Sequence, residues 1–298
     1  MKKVLLLVNG SAGRKQGKDS LYDIVRALAL RDCEVTVYPI EPGTSLDSSL
    51  IIAAKAADFD VVACFGGDGT LNHVVSGLLD NGIRKPVGYI PGGSTNDFVK
   101  NFTDDIDIES VCDGIANGTI YSYDIGKLND RYFNYVAAFG AFTEVSYSTD
   151  QAAKNLFGHG AYVVKAVSSL SDALSYSRKM RVYHDDQITE GEFIYGAVSN
   201  SPFVGGMTLP YSRDAKLNDG LFEAVFVTAP KNAVELATVL SDLATGYLDS
   251  QYVMTFETKA LKVESDMPVD WTVDGEFGGS YKSAEIEVLP RAVDLMIR

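Results

Sequence analysis

The chain is poor in the residues that would assign it to several large protein classes. Its 298 residues include only three cysteines, Cys33, Cys64 and Cys112. An odd number without metal-ligand spacing excludes a disulfide framework and a cysteine-bound zinc centre, and reads as reduced, structural thiols. Histidine is equally scarce: His73, His159 and His184 stand apart without metal-type spacing and read as ordinary residues, His73 as a packing one. Basic residues are outnumbered 26 to 40, for a net charge of -14. That balance argues against nucleic acid as a partner and against wholesale adsorption to anionic lipid, so any membrane contact must be local. No apolar run approaches the roughly 20 residues that span a bilayer, and the opening MKKVLLLVNG turns polar too soon for a signal peptide. The expected location is the cytoplasm. Repeats and low-complexity tracts are missing too, so the length reads as two domains of ordinary globular composition.

What is there is organised around residues 61–72, VVACFGGDGTLN. Val61, Val62, Ala63, Cys64 and Phe65 do not alternate, which suits a parallel strand covered on both faces. Gly66, Gly67 and Gly69 follow, able to take positive φ and bring backbone N–H groups close to an anion, with the positive end of the next helix aimed at the same place. Thr70 can donate to a phosphate oxygen or cap a helix from Leu71 onward. Asp68 is the odd member. A carboxylate in an anion cradle repels phosphate unless a divalent cation intervenes, which points to a magnesium nucleotide. A lone Gly-Asp-Gly turn would be only a helix cap, but a second loop follows the short strand at 87–90: Pro91, Gly92, Gly93, Ser94, Thr95, Asn96 and Asp97. Two such loops at successive strand ends read as one site.

Residues 3–8 form a further apolar strand ending in Asn9, Gly10, Ser11, Ala12 and Gly13. Helical spacing over 21–31, a strand over 35–40 and a helix over 46–57 complete a βαβαβ pattern. Such alternation predicts a parallel, doubly wound sheet with its ligand outside the carboxyl ends of the strands. Beyond Ile120 strands follow at 121–128, 132–138, 180–183, 193–198 and 221–227. They run on near 255–264, 271–273, 284–288 and 293–297, many without intervening helices. This second domain reads as mainly antiparallel and β-sandwich-like, with helices at 161–176 and 233–245. The expected domains are 1–126, completed by 291–298, and 127–290.

GGDGTLN followed by PGGSTND resembles the diacylglycerol kinase catalytic domain family, in particular the bacterial soluble lipid kinases that also look like sphingosine kinases and, more distantly, NAD kinases. The resemblance covers nearly the whole chain and implies an ATP- and magnesium-dependent lipid kinase, with diacylglycerol as the leading acceptor. It implies nucleotide contacts at Asn9, Ser11, Thr44, Gly66, Gly67, Asp68, Gly69, Thr70, Leu71, Asn72, Gly92, Gly93, Thr95 and Asn96. As lone residues, Asn9 and Ser11 also read as turn formers, and Thr44 as the cap of a helix starting near Leu46. Asp68, Asp97 and the strand-end Asp124 would form a water-mediated network around one magnesium ion. In WTVDGEFGG, Asp274-Gly275 is a hairpin signal by itself; the resemblance makes Glu276 the general base and Asp274 its orienting partner. Lys216, Asp219 and Leu221 match a structural magnesium site, the lysine through its carbonyl, where residues alone suggest a turn.

Residues 147–182 carry Lys154, Lys165, Arg178, Lys179 and Arg181 against Asp150 and Asp172, a local net of +3. With Tyr147, Phe157, Tyr162 and Tyr176 the segment reads as a peripheral membrane-docking surface or as a helix packed on the second domain. The family also pairs through its second domain, so a homodimer is among the expectations. Two other readings stand beside the lipid kinase: an NAD kinase-type enzyme and a non-catalytic nucleotide-binding regulatory protein.

Overall fold

The structure is a computed structural model and describes residues 1–10, 19–93, 95–103, 107–140, 177–204, 207–208, 210–245 and 250–298. Ser11, Ser94 and the expected helix at 161–176, with most of the basic segment at 147–182, lie outside the described residues. The chain divides into two compact units, Met1–Ile125 with Pro290–Arg298, and Gly126–Leu289.

The first unit alternates strand and helix: β1 (Lys2–Asn9), α1 (Asp19–Ala29), β2 (Cys33–Ile40), α2 (Ser48–Lys55), β3 (Val61–Gly66), α3 (Asp68–Asp80), β4 (Val87–Pro91), α4 (Ile108–Asn117) and the start of β5 (Thr119–Leu128). The sheet is parallel, with β1 between β2 and β3, and β4 beyond β3. Every residue of β3 is buried, as its unbroken apolar run requires. On one face Val4, Leu6, Ala63 and Ile90 meet Ile24 and Leu28 of α1 and Cys112 and Ile115 of α4. On the other, α2 and α3 pack closely enough that a Cβ at Gly77 would lie 3.1 Å from the Ser49 Cα. The sheet is thus wound on both faces.

The second unit holds β6 (Arg131–Phe133), β7 (Val136–Gly140), β8 (Arg178–His184), β9 (Gln187–Ser199), β10 (Phe203–Val204), β11 (Met207–Thr208), β12 (Phe222–Thr228), α5 (Ala233–Thr245), β13 (Val253–Thr258), β14 (Ala260–Val273) and most of β15 (Glu276–Ile297). Its pairings are antiparallel, in the order β13, β12, β9, β7, β14, β15. β9 and β14 are long enough to pair with β8 over one stretch and β7 over another. Between the strands lies an aromatic core of Phe133, Phe139, Phe193, Phe222, Phe226 and the single tryptophan, Trp271. Ile194, Val227 and Val239 bind α5 to the sheet.

Two of the expected strand divisions change. The strand expected over 255–264 is two, because the chain bends at Lys259, where the Thr258 hydroxyl bonds both the N–H and the carbonyl of Ala260. The strands expected at 284–288 and 293–297 are one, β15, bent at Arg291 where φ is +48°. Past that bend the strand belongs to the first unit and pairs in parallel with β4 at Leu295 and Val87. Asp294 secures it, accepting from Arg84 Nε at 2.9 Å and Ser122 Oγ at 2.6 Å. The Arg84 guanidinium, ahead of the serine, holds this carboxyl below the usual carboxylate range against the opposing effect of burial.

Candidate active site

In the first unit the loops after β3 and β4 are knitted together by one carboxylate. Asp68, 8% exposed, accepts from the Asp97 N–H at 2.9 Å, the Phe98 N–H at 3.4 Å and the Tyr89 hydroxyl at 3.2 Å. Gly92 N–H donates to the Gly66 carbonyl at 2.7 Å, and a Cβ at Gly93 would come within 2.7 Å of the Gly67 Cα. The glycines are therefore required by close approach of backbone to backbone. The expected positive φ is not what they supply: the positive-φ glycines lie elsewhere, and Gly67 has φ -84°.

α3 begins at Asp68, one turn earlier than a Thr70 cap would start it. Thr70 sits in the first turn, buried, and its hydroxyl accepts from Asn9 Nδ2 at 3.0 Å, which ties the end of β1 to the same site. Leu71 is fully buried and gives its N–H to the Gly67 carbonyl at 3.1 Å, so it has none to offer phosphate. Asn72 lies on α3 beside Ser76. Gly67 is the N-cap and has no side chain to cap with, which leaves the first-turn N–H groups of a 13-residue helix directed at the loop. In the second loop Gly93 N–H and Asn96 Oδ1 bond at 2.9 Å, and Asn96 Nδ2 returns to the Gly93 carbonyl at 3.0 Å. Those groups hold their own loop, and the Gly92 N–H is likewise spent on Gly66. Thr95 makes no hydrogen bond among the described residues.

Thr44 departs from the expected helix cap. Its hydroxyl donates to the Glu41 carbonyl at 2.9 Å and accepts from Leu46 N–H at 3.0 Å, closing a turn, while Asp47 caps α2 through Ser49 N–H. Asp97 is almost fully buried and pairs with Lys100 Nζ at 2.7 Å. Asp124 is interior to β5 rather than at a strand end; it is fully buried and accepts from Arg291 N–H at 2.7 Å, bracing the bend in β15. Of the three acids expected around one cation, Asp68 and Asp97 are joined. Among the described residues no group of three Asp, Glu, His or Cys side chains stands close enough to hold a metal ion.

In the second unit the two-residue turn between β14 and β15 has both members at positive φ, Asp274 at +48° and Gly275 at +84°. The Asp274 carboxylate is engaged on both oxygens: Oδ2 by Asn134 N–H at 2.6 Å and Asn134 Nδ2 at 3.0 Å, Oδ1 by Tyr135 N–H at 3.0 Å and Val136 N–H at 3.2 Å. Its own N–H goes to the Val136 carbonyl at 2.9 Å. Asp274 thus anchors the turn. Glu276, two residues on, is exposed. At Asp219, Oδ1 accepts from Leu221 N–H at 3.1 Å across Gly220 at φ +80°, an Asx turn with Lys216 exposed beside it.

Tyr89, Lys100 and Asn134 were not found from the sequence. Tyr89 is the one residue with a polar tip in VGYIP, and Asn134 the one amide between aromatics in YFNYV. Both signals were readable as polar interruptions of apolar runs.

The architecture is a doubly wound parallel sheet with paired glycine loops, followed by an antiparallel domain carrying an acidic turn. The family described as "Diacylglycerol kinase catalytic domain" matches residues 3–128, and "YegS C-terminal NAD kinase beta sandwich-like domain" matches 136–297. A diacylglycerol kinase of Staphylococcus saprophyticus is 32% identical over 93% of this chain and 90% of its own length. One from Staphylococcus aureus is 31% identical over 93% and 87%. A solved diacylglycerol kinase structure from Bacillus anthracis strain Sterne shares the fold at a TM-score of 0.74 and 22% identity, covering 100% of this chain and 97% of that one. The chain belongs to the diacylglycerol kinase family of lipid kinases.

Proposed function

We propose that the protein transfers the γ-phosphoryl group of ATP to the hydroxyl of a membrane lipid, with diacylglycerol as acceptor and phosphatidic acid as product. The observation that carries the reading is an exposed glutamate, Glu276, directly beyond an aspartate whose two oxygens are committed to four donors. A carboxylate so engaged has little capacity left for proton transfer, so the base is Glu276. It takes the proton of the acceptor hydroxyl as that oxygen bonds to phosphorus, and the bond from phosphorus to the ADP oxygen breaks. The first-turn N–H groups of α3 and the Thr95 hydroxyl receive phosphate oxygens. The names of the curated relatives favour diacylglycerol.

Magnesium fits the first-unit acids through water. Asp68, Asp97 and Asp124 each accept from protein donors, yet a carboxylate has about four acceptor sites, and this ion keeps several of its waters. When bound, it would neutralise charge on the phosphates. A structural ion at Asp219 Oδ2 and the carbonyls of Lys216 and Leu221 belongs to the same reading; EDTA should lower the melting temperature of wild type and leave Asp219→Ala unmoved. An equal shift in both, or none in either, would leave the segment a plain turn. The same reading makes it a cytoplasmic enzyme that meets its lipid peripherally; no helix among the described residues is long and apolar enough to cross a membrane.

The function is tested by incubating purified protein with labelled ATP, NAD and a total lipid extract. Labelled phosphatidic acid is the expected product. Label in another phospholipid would change the acceptor, and label in NADP alone would overturn the reading.

A further inference from the structure

The turn that carries Glu276 depends on a side chain from another part of the second unit. Asp274 adopts a left-handed conformation that costs a non-glycine residue about 1 kcal/mol or more, and it is held there by what its carboxylate grips. Three of its four donors are backbone N–H groups of Asn134, Tyr135 and Val136, which almost any residue would supply. Of these four, Asn134 Nδ2 at 3.0 Å is the donor that side-chain identity determines. Asn134 is 1% exposed, so water does not readily replace that donor. Gly275 follows Asp274, and Glu276 opens β15 paired with Val273. Glu276 is thus tied to Asp274 by the Gly275 backbone and by the pairing with Val273, so a change in the Asp274 backbone conformation would be passed to it.

We propose that Asn134 is a positioning residue for phosphoryl transfer: its side-chain amide fixes Asp274, and so fixes where Glu276 is carried. The proposal rests on Glu276 being the base. Asn134 touches neither substrate nor phosphate in this account. Its effect falls on kcat, because a base displaced by an ångström forfeits alignment in the transition state while nucleotide binding in the first unit is untouched.

The experiment measures kcat, KM for ATP and melting temperature for wild type, Asn134→Ala, Asn134→Asp and Glu276→Gln, using diacylglycerol in phosphatidylglycerol vesicles. Asn134→Ala is expected to lower kcat about 10- to 100-fold with KM for ATP within about twofold, assayed well below its melting point. Asn134→Asp supplies the readout that a merely structural role would not move. It sets a second buried carboxylate against Asp274, the charged group bonded to that side chain, with Glu276 two residues further along the turn. Two carboxylates so placed retain one proton, and that shared O–H restores the lost donor. Its kcat relative to wild type should therefore climb as pH falls from about 8 to about 6. Wild-type kcat in Asn134→Ala, or a ratio for Asn134→Asp that stays flat across that range, would overturn the proposal. If Asn134→Ala does not fold, the Asn134→Asp ratio decides alone. Wild-type kcat in Glu276→Gln would instead remove the base assignment, and with it what Asn134 is held to position.

Discussion

In the first unit Asp68 draws together the loops after β3 and β4 by accepting from Asp97, Phe98 and Tyr89. In the second, Asp274 fixes the β14–β15 turn by accepting from Asn134, Tyr135 and Val136. Both stand in Asp-Gly steps, both are buried, and both spend their charge on donors from the protein. They differ in what they leave available. Beside Asp68 it is a set of N–H donors at the start of α3, suited to phosphate. Beside Asp274 it is an exposed carboxylate, suited to taking a proton. In each Asp-Gly motif the aspartate does the holding, and the proposed function gives the substrates to its neighbours.

The largest expected effect breaks the first half of that comparison. Asp68→Ala strips the acceptor from two backbone N–H groups and a buried phenol, so stability should fall on the order of 3 kcal/mol along with turnover. Loss of turnover at an unchanged melting temperature would show Asp68 to be a cation-positioning group and not a brace.

Next comes a half-buried acid with one oxygen that lacks such a donor. Glu223 Oε2 has no hydrogen-bond partner among the described residues, and burial, then the charges of Asp219 and Glu257, push its carboxyl up to about 8. The folded chain therefore keeps a proton that the unfolded chain releases from the ordinary glutamate range upward. The stability this proton linkage contributes is full at the acid end and is lost as pH rises to about 8. Glu223→Gln should remove that slope, its melting temperature gaining on wild type by a few degrees between about pH 5 and about pH 9. Parallel melting curves would mean that Glu223 is solvated like any surface acid.

The smallest effect isolates one donor. Tyr89→Phe leaves Asp68 its two backbone partners and should cost about 1–2 kcal/mol with no loss of solubility. A neutral result would make the 3.2 Å contact incidental.

Periodicity made the fold readable: the unbroken apolar run at β3 and the change from alternating helices to successive strands after Ile120 both report burial, which sequence encodes directly. Where the hydrogen bonds of the acids go was not readable. The partners of Asp274 lie some 140 positions away, at Asn134, and those of Asp68 some 30 away, at Asp97 and Phe98. Nothing local tells a saturated carboxylate from an available one. Thr44 shows the same limit at short range, since a hydroxyl near a helix start serves as well to close a turn as to cap, and Asp47 took the cap. Glycine was misread for a related reason. Gly67 looks like a site of positive φ until the neighbouring loop, at Gly93, is present to demand the space.

The division between anchor and base is tested most directly by measuring kcat and melting temperature for Asp274→Asn and Glu276→Gln side by side. Glu276→Gln should lose about 100-fold or more in kcat and melt like wild type. Asp274→Asn places an amide among four donors and should melt well below wild type, its residual activity following the folded fraction. A Glu276→Gln enzyme with near-normal kcat, beside an Asp274→Asn protein that melts normally and is inactive, would contradict the account.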